Sequence, residues 1–352
     1  MISGFTLNLV MVFVISALLT AILTGYVILW LRKKAILDQP TDRSSHTVPT
    51  PRGGGWGVMP VIWLIWGGYT VWMPASHIRE MLIMALIGSV VLSLISWLDD
   101  RRKEGLPASI RLIIQILSVG FPVLFIPTEA RIFEEYLPLI AERGLIFFTW
   151  LWFINAFNFM DGINGLSGVQ ASTNAMGLAL IGTLLIGHAT LPILSVAISG
   201  AAIGFLVWNL RPQAAVFLGD IGSVGLGYLL GWLFLLTALS GAPLAVVIIP
   251  LYYWFDATLT LLKRLLRGEK IWTPHRQHFY QQATAPTGGV THVKVSLIIG
   301  VLNMILVLFA IQALRSDQLF EVVTYTVAAL IAVIATLIYI VKTGPATTDN
   351  QL

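Results

Sequence analysis

Residues 146–168 read IFFTWLWFINAFNFMDGINGLSG. An uncharged apolar run, Ile146 to Ile154, gives way to Asn155, Asn158, Asp161 and Asn164, with glycines at 162, 165 and 168. On a helix the three-residue spacing of Asn155, Asn158 and Asp161 makes one polar stripe. Carboxamides facing lipid are costly, so the stripe is expected to face a cavity or other helices. Gly162 and Gly165 are expected to break the helix and to let a ligand approach the backbone. The plainer alternative is helix–helix hydrogen bonding followed by an ordinary Asp-Gly and Asn-Gly turn.

The rest of the chain has the same character. Hydrophobic residues make up 57% of the 352 and charged residues 11%, with a mean hydropathy of +0.85. Soluble domains carry about 25% charged residues. Too little polar material is present to cover a water-facing surface, so the chain reads as an integral membrane protein. Cysteine is absent, which excludes disulfides and thiolate metal sites. The first apolar run, about 7–31, is too long for a signal-peptide core and lacks its flanking features; it is expected to be retained as a helix.

Eleven spans are predicted, near 7–31, 56–74, 81–98, 110–126, 144–160, 165–187, 189–208, 221–240, 242–262, 293–314 and 319–341. The fold class is therefore an all-α polytopic membrane protein. Lys and Arg set its orientation. Seventeen of them fall in the connections on one side and only four, Arg79, Arg131, Arg143 and Arg315, on the other. The rich side is expected to be cytoplasmic, with the N-terminus periplasmic and the C-terminus cytoplasmic. Residues 1–343 read as a single transmembrane catalytic domain with cytoplasmic loops at 32–55, 99–109, 161–164, 209–220 and 263–292. Residues 344–352 read as a disordered tail.

Four sequence-distant polar groups fall on the basic side. SWLDDRRKEG closes the third span with Asp99 and Asp100. Adjacent carboxylates at the negative end of a helix need cations nearby, and they point about 100° apart. One could bind a metal while its neighbour meets a basic side chain; the bland reading is neutralisation by Arg101, Arg102 and Lys103. Asp220, in VFLGDIGSVGLG, opens the eighth span. It suits either an N-cap or a Mg²⁺ ligand, since Mg²⁺ takes one or two protein carboxylates and completes its shell with phosphate and water. In WTPHRQHFYQQ, Thr273-Pro274 reads as a helix start. His275, Arg276 and His278 on its first turn would bind phosphate or pyrophosphate, or simply anionic lipid heads; zinc is disfavoured for want of further ligands. The loop LDQPTDRSSHTVPTPRGGG, ending in Arg52 and three glycines, is a weak candidate anion cradle. Asp256 lies inside the ninth span, where an acid is a functional candidate or an ion-pair partner of Lys263.

These pieces suggest a Mg²⁺-dependent reaction of a phosphorylated substrate, with one reactant from the cytosol and another headgroup held in the membrane. At this point the chain resembles the polyprenyl-phosphate N-acetylhexosamine-1-phosphate transferases. The resemblance rests on PTPRGGG (49–55), LDD (98–100), NAFNFMDGINGL (155–166), FLGDIGSVGLG (217–227) and HRQHFYQ (275–281). The PRGGG and HRQH forms look nearer the branch that initiates O-antigen and related surface polysaccharides than the peptidoglycan branch. The resemblance implies transfer of a sugar 1-phosphate from a UDP-N-acetylhexosamine to undecaprenyl phosphate in the bacterial inner membrane, with Mg²⁺, or Mn²⁺ in its stead, as cofactor. Asp220 and Asp100 would hold the metal. Asp99, Asp100 and Asp161 would be catalytic. Arg52, Asn155, Asn158, Asn164, His275, Arg276 and His278 would bind substrate. Membrane lipid is a partner, a homodimer is admitted and nucleic acid is not expected. Many relatives carry a second aspartate where this chain has Asn164, so a charged role there is in doubt. A secondary transporter is the rival class, but transporters favour mid-bilayer acids and internal repeats; a zinc protease would need HExxH, which is absent.

Overall fold

The computed structural model describes residues 4–40, 48–102, 105–271, 273, 275–284 and 289–343. Arg43, Lys103, Pro274 and the tail at 344–352 therefore lie outside the described residues.

The chain folds around one helix. Helix α8 (Asp220–Leu239) is buried over its whole apolar window, and α2 (Gly55–Trp72), α3 (His77–Asp100), α5 (Leu139–Phe159), α6 (Leu166–Ile181) and α7 (Thr190–Asn209) all pack on it. Helices in lipid gain nothing from burying oil against oil, so close packing of small residues and hydrogen bonds must hold them. The α8 sequence supplies the small residues. A Cβ on Gly231 would lie 2.2 Å from the Trp150 ring of α5, and Trp150 Nε1 donates to the Tyr228 carbonyl at 2.9 Å. That indole can reach the α8 backbone only because position 231 has no side chain.

Helices α1 (Gly4–Lys33), α4 (Ala108–Leu124), α12 (His292–Arg315) and α13 (Leu319–Lys342) form the outer layer. Among the described residues eight helices are long and apolar enough to cross a membrane, and α4 is a shorter apolar one. Helix α2, with 18 residues and Pro60 inside it, takes another of the predicted places. The ninth predicted span departs from expectation. It is broken into α9 (Pro243–Ile248) and α10 (Leu251–Leu266), because Pro250 has no N–H to continue the helical ladder. The sixth span ends in a π-turn at Gly182–Ile186.

At the basic end a short hairpin, β1 (Leu37–Asp38) with β2 (Thr50–Pro51), follows α1. A one-turn helix, α11 (Phe279–Ala283), precedes α12. At the opposite end Arg131 and Arg143 close on the fully buried Glu142, so two of the four cations on that side are spent on an internal ion-pair cluster.

Candidate active site

The glycine triplet after Arg52 docks on the segment before α8. Gly53 and Gly54 N–H groups donate to the Phe217 carbonyl at 3.1 and 2.8 Å, and Gly55 N–H donates to Leu218 at 2.8 Å. Phe217 N–H returns a bond to Pro51 at 2.8 Å. This corrects the anion-cradle expectation, since the glycine amides are consumed by backbone carbonyls. Their function is close approach. A Cβ on Gly55 would fall 2.4 Å from Gly222 N.

That docking brings Arg52 between two carboxylates. Its Nη2 lies 2.8 Å from Asp100 Oδ1 and 3.1 Å from Asp220 Oδ1. Asp220 N–H also donates to Asp100 Oδ2 at 3.0 Å. Residues 52, 100 and 220, from three parts of the chain, thus form one ionic group. Asp220 is the first residue of α8, and its side chain makes no capping bond; the flanking N-cap is Gly219, whose φ of 73° excludes most side chains.

A cavity of about 260 Å³ opens beside this group, lined by Arg52, Asn158, Asp161, Asp220 and Arg276 among others. Asn158 Nδ2 donates to Ser223 Oγ at 2.8 Å, which joins the end of α5 to the start of α8. Asp161 reaches the cavity from the turn after α5 and is half-buried. Burial pushes its carboxyl up to about 7, against the Ser167 hydrogen bond and Arg52, and with the help of Asp220 and Asp100. Burial also opposes the Arg52 charge, but Asp220, Asp100 and Asp38 more than offset it and hold the guanidinium pKa above its ordinary value.

Other expected site residues point elsewhere. Asp99 is buried, takes Arg111 at 3.2 Å, and accepts the Leu106 N–H; it fixes the turn into α4 and does not line the cavity. Asn155 Nδ2 donates to Gln115 Oε1 at 2.9 Å, so it joins α5 to α4. Asn164 Nδ2 donates to the Arg211 and Pro212 carbonyls at 2.9 and 3.3 Å, and its own carbonyl accepts Ser296 Oγ at 2.8 Å. It is a buried staple between α6, the 210–212 turn and α12. Gly162 lines the cavity, but its missing Cβ makes room for the Tyr280 hydroxyl, and Gly165 makes room for Leu210.

The HRQH segment is also rearranged. The helix begins at Phe279 with His278 as N-cap, so His275 and Arg276 precede it instead of riding its first turn. His278 is 2% exposed and bonded to Asp256 at 3.1 Å. His275 packs on the His278 ring at 4.9 Å. Burial, then the charges of His278 and Arg264, push its imidazole down to about 4, which leaves it neutral. Arg276 alone of the three lines the cavity. Asp256 meets His278 and not Lys263, whose ammonium lies over the Phe279 ring at 4.6 Å.

Sequence reasoning passed over Asp38, Asn209 and Gln281, which also line the cavity. Asp38 arrives through a two-residue strand that carries no periodic signal. Asn209 Nδ2 caps the Val216 carbonyl at 2.8 Å while its Oδ1 accepts Gly165 N–H at 2.6 Å; only the neighbouring WNLRP polar break marked it.

The profile of the family described as Glycosyl transferase family 4 matches residues 82–238, from α3 to the end of α8. That stretch contains Asp100, Asn158, Asp161 and Asp220, four of the polar groups just described. The chain belongs to this family. Among curated members, the chain is 27% identical over 319 residues to a probable undecaprenyl-phosphate N-acetylglucosaminyl 1-phosphate transferase of Bacillus subtilis, covering 88% of this chain and 85% of that protein. It is 32% identical over 252 residues to a phospho-N-acetylmuramoyl-pentapeptide-transferase of Rippkaea orientalis, covering 65% and 66%. It is 29% identical over 266 residues to the undecaprenyl-phosphate alpha-N-acetylglucosaminyl 1-phosphate transferase of Escherichia coli, covering 71% and 69%. Two of these relatives carry N-acetylglucosaminyl 1-phosphate transferase names and the third a phospho-N-acetylmuramoyl-pentapeptide-transferase name.

The charge balance of the cavity is unusual for a site that would take a phosphorylated substrate. Asp38, Asp100, Asp161 and Asp220 surround it or its rim, against Arg52 and Arg276. An anion entering that field needs further positive charge. Among the described residues no three His, Asp or Glu side chains converge as a closed metal cage. Two carboxylates, Asp100 and Asp220, converge on Arg52 Nη2, so a cation shared between them would take the place of that guanidinium. That donor set suits Mg²⁺, which is held by one or two carboxylates and the substrate's own phosphates.

Proposed function

We propose that the chain transfers N-acetylhexosamine 1-phosphate from a UDP-sugar to undecaprenyl phosphate at the cytoplasmic face of a bacterial inner membrane. The products are the lipid pyrophosphate sugar and UMP. The step would initiate O-antigen or a related surface polysaccharide, as the PRGGG and HRQH forms suggest. One observation carries the reading: Arg52, Asp161, Asp220 and Arg276 line one cavity at the bundle end to which the basic loops belong, and Asp100 stands behind it, paired with Arg52.

Phosphoryl transfer asks the protein for positioning and charge neutralisation more than for covalent chemistry. The acceptor phosphate has a second pKa near 6 and is mostly dianionic at neutral pH, so its oxygen attacks the β-phosphorus without a strong base. The bond from that phosphorus to the UMP oxygen breaks, and UMP leaves with the electron pair. This suits a cavity that Asp99 does not line. Arg52 and Arg276 bind and neutralise the pyrophosphate. Asp100 and Asp220 would hold Mg²⁺, which supplies Lewis-acid stabilisation of the leaving phosphate. Asn158 and Asp161 close the wall beside it. The transporter alternative gains no support, since the cavity acids sit at helix ends and not at mid-bundle.

A panel of UDP-sugars with undecaprenyl phosphate, purified protein and Mg²⁺, read by UMP release and product mass, tests the proposal and names the sugar. Asp220→Asn is expected to abolish metal-dependent turnover. Near-normal turnover with full Mg²⁺ dependence in that variant would refute the assignment.

A further inference from the structure

Asp256 lies in α10 with no exposed surface and does not line the cavity. Among the described residues no Lys or Arg is paired with it. Its Oδ1 accepts Phe279 N–H at 3.1 Å, Thr260 Oγ1 at 3.3 Å and His278 Nδ1 at 3.1 Å. Its Oδ2 accepts the Tyr252 hydroxyl at 3.1 Å and Tyr280 N–H at 3.3 Å. With the Asp256 oxygen as acceptor of this contact, Nδ1 of His278 is the donor. Five donors on one buried carboxylate offset the cost of removing it from water. Three of them, His278 Nδ1 and two consecutive amides, belong to the 275–283 segment.

That segment delivers Arg276 and Gln281 to the cavity. It also sends the Tyr280 hydroxyl to the Phe159 carbonyl at 2.9 Å, at the end of α5 just before Asp161. The same helix holds the stretch before it. Arg264, two turns on from Asp256 and 4% exposed, bonds Glu269 at 2.8 Å and the Thr273 and Lys270 carbonyls at 3.1 and 3.0 Å. A long polar connection is thus pinned to a rigid helix at two points, and the pin nearer the cavity is Asp256.

We propose that Asp256 is a positioning residue for the sugar-nucleotide side of the reaction: through His278 and the Phe279 and Tyr280 amides it fixes the segment that holds Arg276 against the donor pyrophosphate. This rests on the proposed transferase reading. On it, His278 acts through Asp256 and touches no substrate.

The test uses full-length protein in detergent or nanodiscs. Asp256→Asn puts an NH₂ among groups that are themselves donors, so at least one loses its acceptor. Amide exchange in 275–283 is expected to speed up about tenfold or more, as loss of a bond to a charged acceptor implies. Turnover per UDP-sugar, kcat/KM, should fall about hundredfold, in line with a displacement of about 1 Å, through a raised KM for the nucleotide and an unchanged KM for undecaprenyl phosphate. Adding Asp256→Asn to Arg276→Ala should cost little more. His278→Asn, whose side-chain amide can still donate to Asp256, should retain activity, while His278→Leu should lose it. Unchanged exchange in Asp256→Asn, fully additive losses with Arg276→Ala, or a His278→Asn as inactive as His278→Leu would each overturn the proposal. If Asp256→Asn is not monodisperse, the two His278 variants decide. If the wild type releases no UMP, the transferase reading fails, and amide exchange still measures the Asp256 anchor.

Discussion

Replacing Gly55 by alanine should separate the two halves of the proposed site. The added Cβ would lie 2.4 Å from Gly222 N and 2.6 Å from Gly222 Cα, both backbone atoms that cannot swing aside. Comfortable contacts are about 3.5–4.0 Å, so α2 and α8 must part by about 1 Å. Overpacking of this kind costs about 1–3 kcal/mol. The geometric effect is larger than the energetic one. Arg52 precedes Gly55 by three residues and Asp220 precedes Gly222 by two, so the shift falls directly on the 2.8 and 3.1 Å ion pairs. A misplacement of about 1 Å typically lowers turnover by about a hundredfold. Gly67→Ala is the matched control: it lies in the same helix with no heavy atom within 4 Å of its would-be Cβ. Both variants would be purified and compared by UMP release and thermal midpoint. Wild-type turnover in Gly55→Ala, or an equal loss in Gly67→Ala, would refute the argument that backbone apposition at this point organises the site.

Asn164→Asp should destabilise the protein by about 1–3 kcal/mol, because a carboxylate oxygen would replace the amide that donates to two carbonyls; a raised thermal midpoint would contradict this. Arg276→Ala should raise the KM for UDP-sugar and leave that for undecaprenyl phosphate unchanged, as steady-state kinetics with each substrate varied can show. Asp161 holds its proton up to about pH 7 when folded and loses it near pH 3.9 when unfolded. The native state therefore binds the extra proton, and its stabilising contribution, full below about pH 4, is lost as pH rises to 7. Asp161→Asn should flatten that decline in a pH series of thermal midpoints without ligand; an unchanged slope would argue against a buried neutral carboxyl.

The bundle was legible because its signals are local and strong. Long apolar runs mark the helices, and the Lys and Arg bias groups their ends. The break in the ninth span was not read, because a continuous apolar run masks the single missing N–H at Pro250. At the site, Arg52, Asp100, Asp161, Asp220 and Arg276 could be picked out because an ionisable group or acid–glycine cluster at a helix end is conspicuous. The direction in which a side chain points was not legible. Asp99 and Asp100 are neighbours, yet one serves the α4 turn and the other meets Arg52. Asn155 and Asn158 lie on one stripe, yet one bonds α4 and the other α8. His278 resembled a phosphate binder because its acceptor, Asp256, lies 22 residues away in sequence.

The central claim is that residues from five separate segments assemble one catalytic cavity for sugar-phosphate transfer between water and membrane. Purified protein incubated with Mg²⁺, undecaprenyl phosphate and a UDP-N-acetylhexosamine labelled in its β-phosphate tests it most directly. The account predicts that the label moves to the organic phase in step with UMP released into water, and that Asp220→Asn stops both. Label that stays in water, or UMP that appears without a labelled lipid, would contradict it.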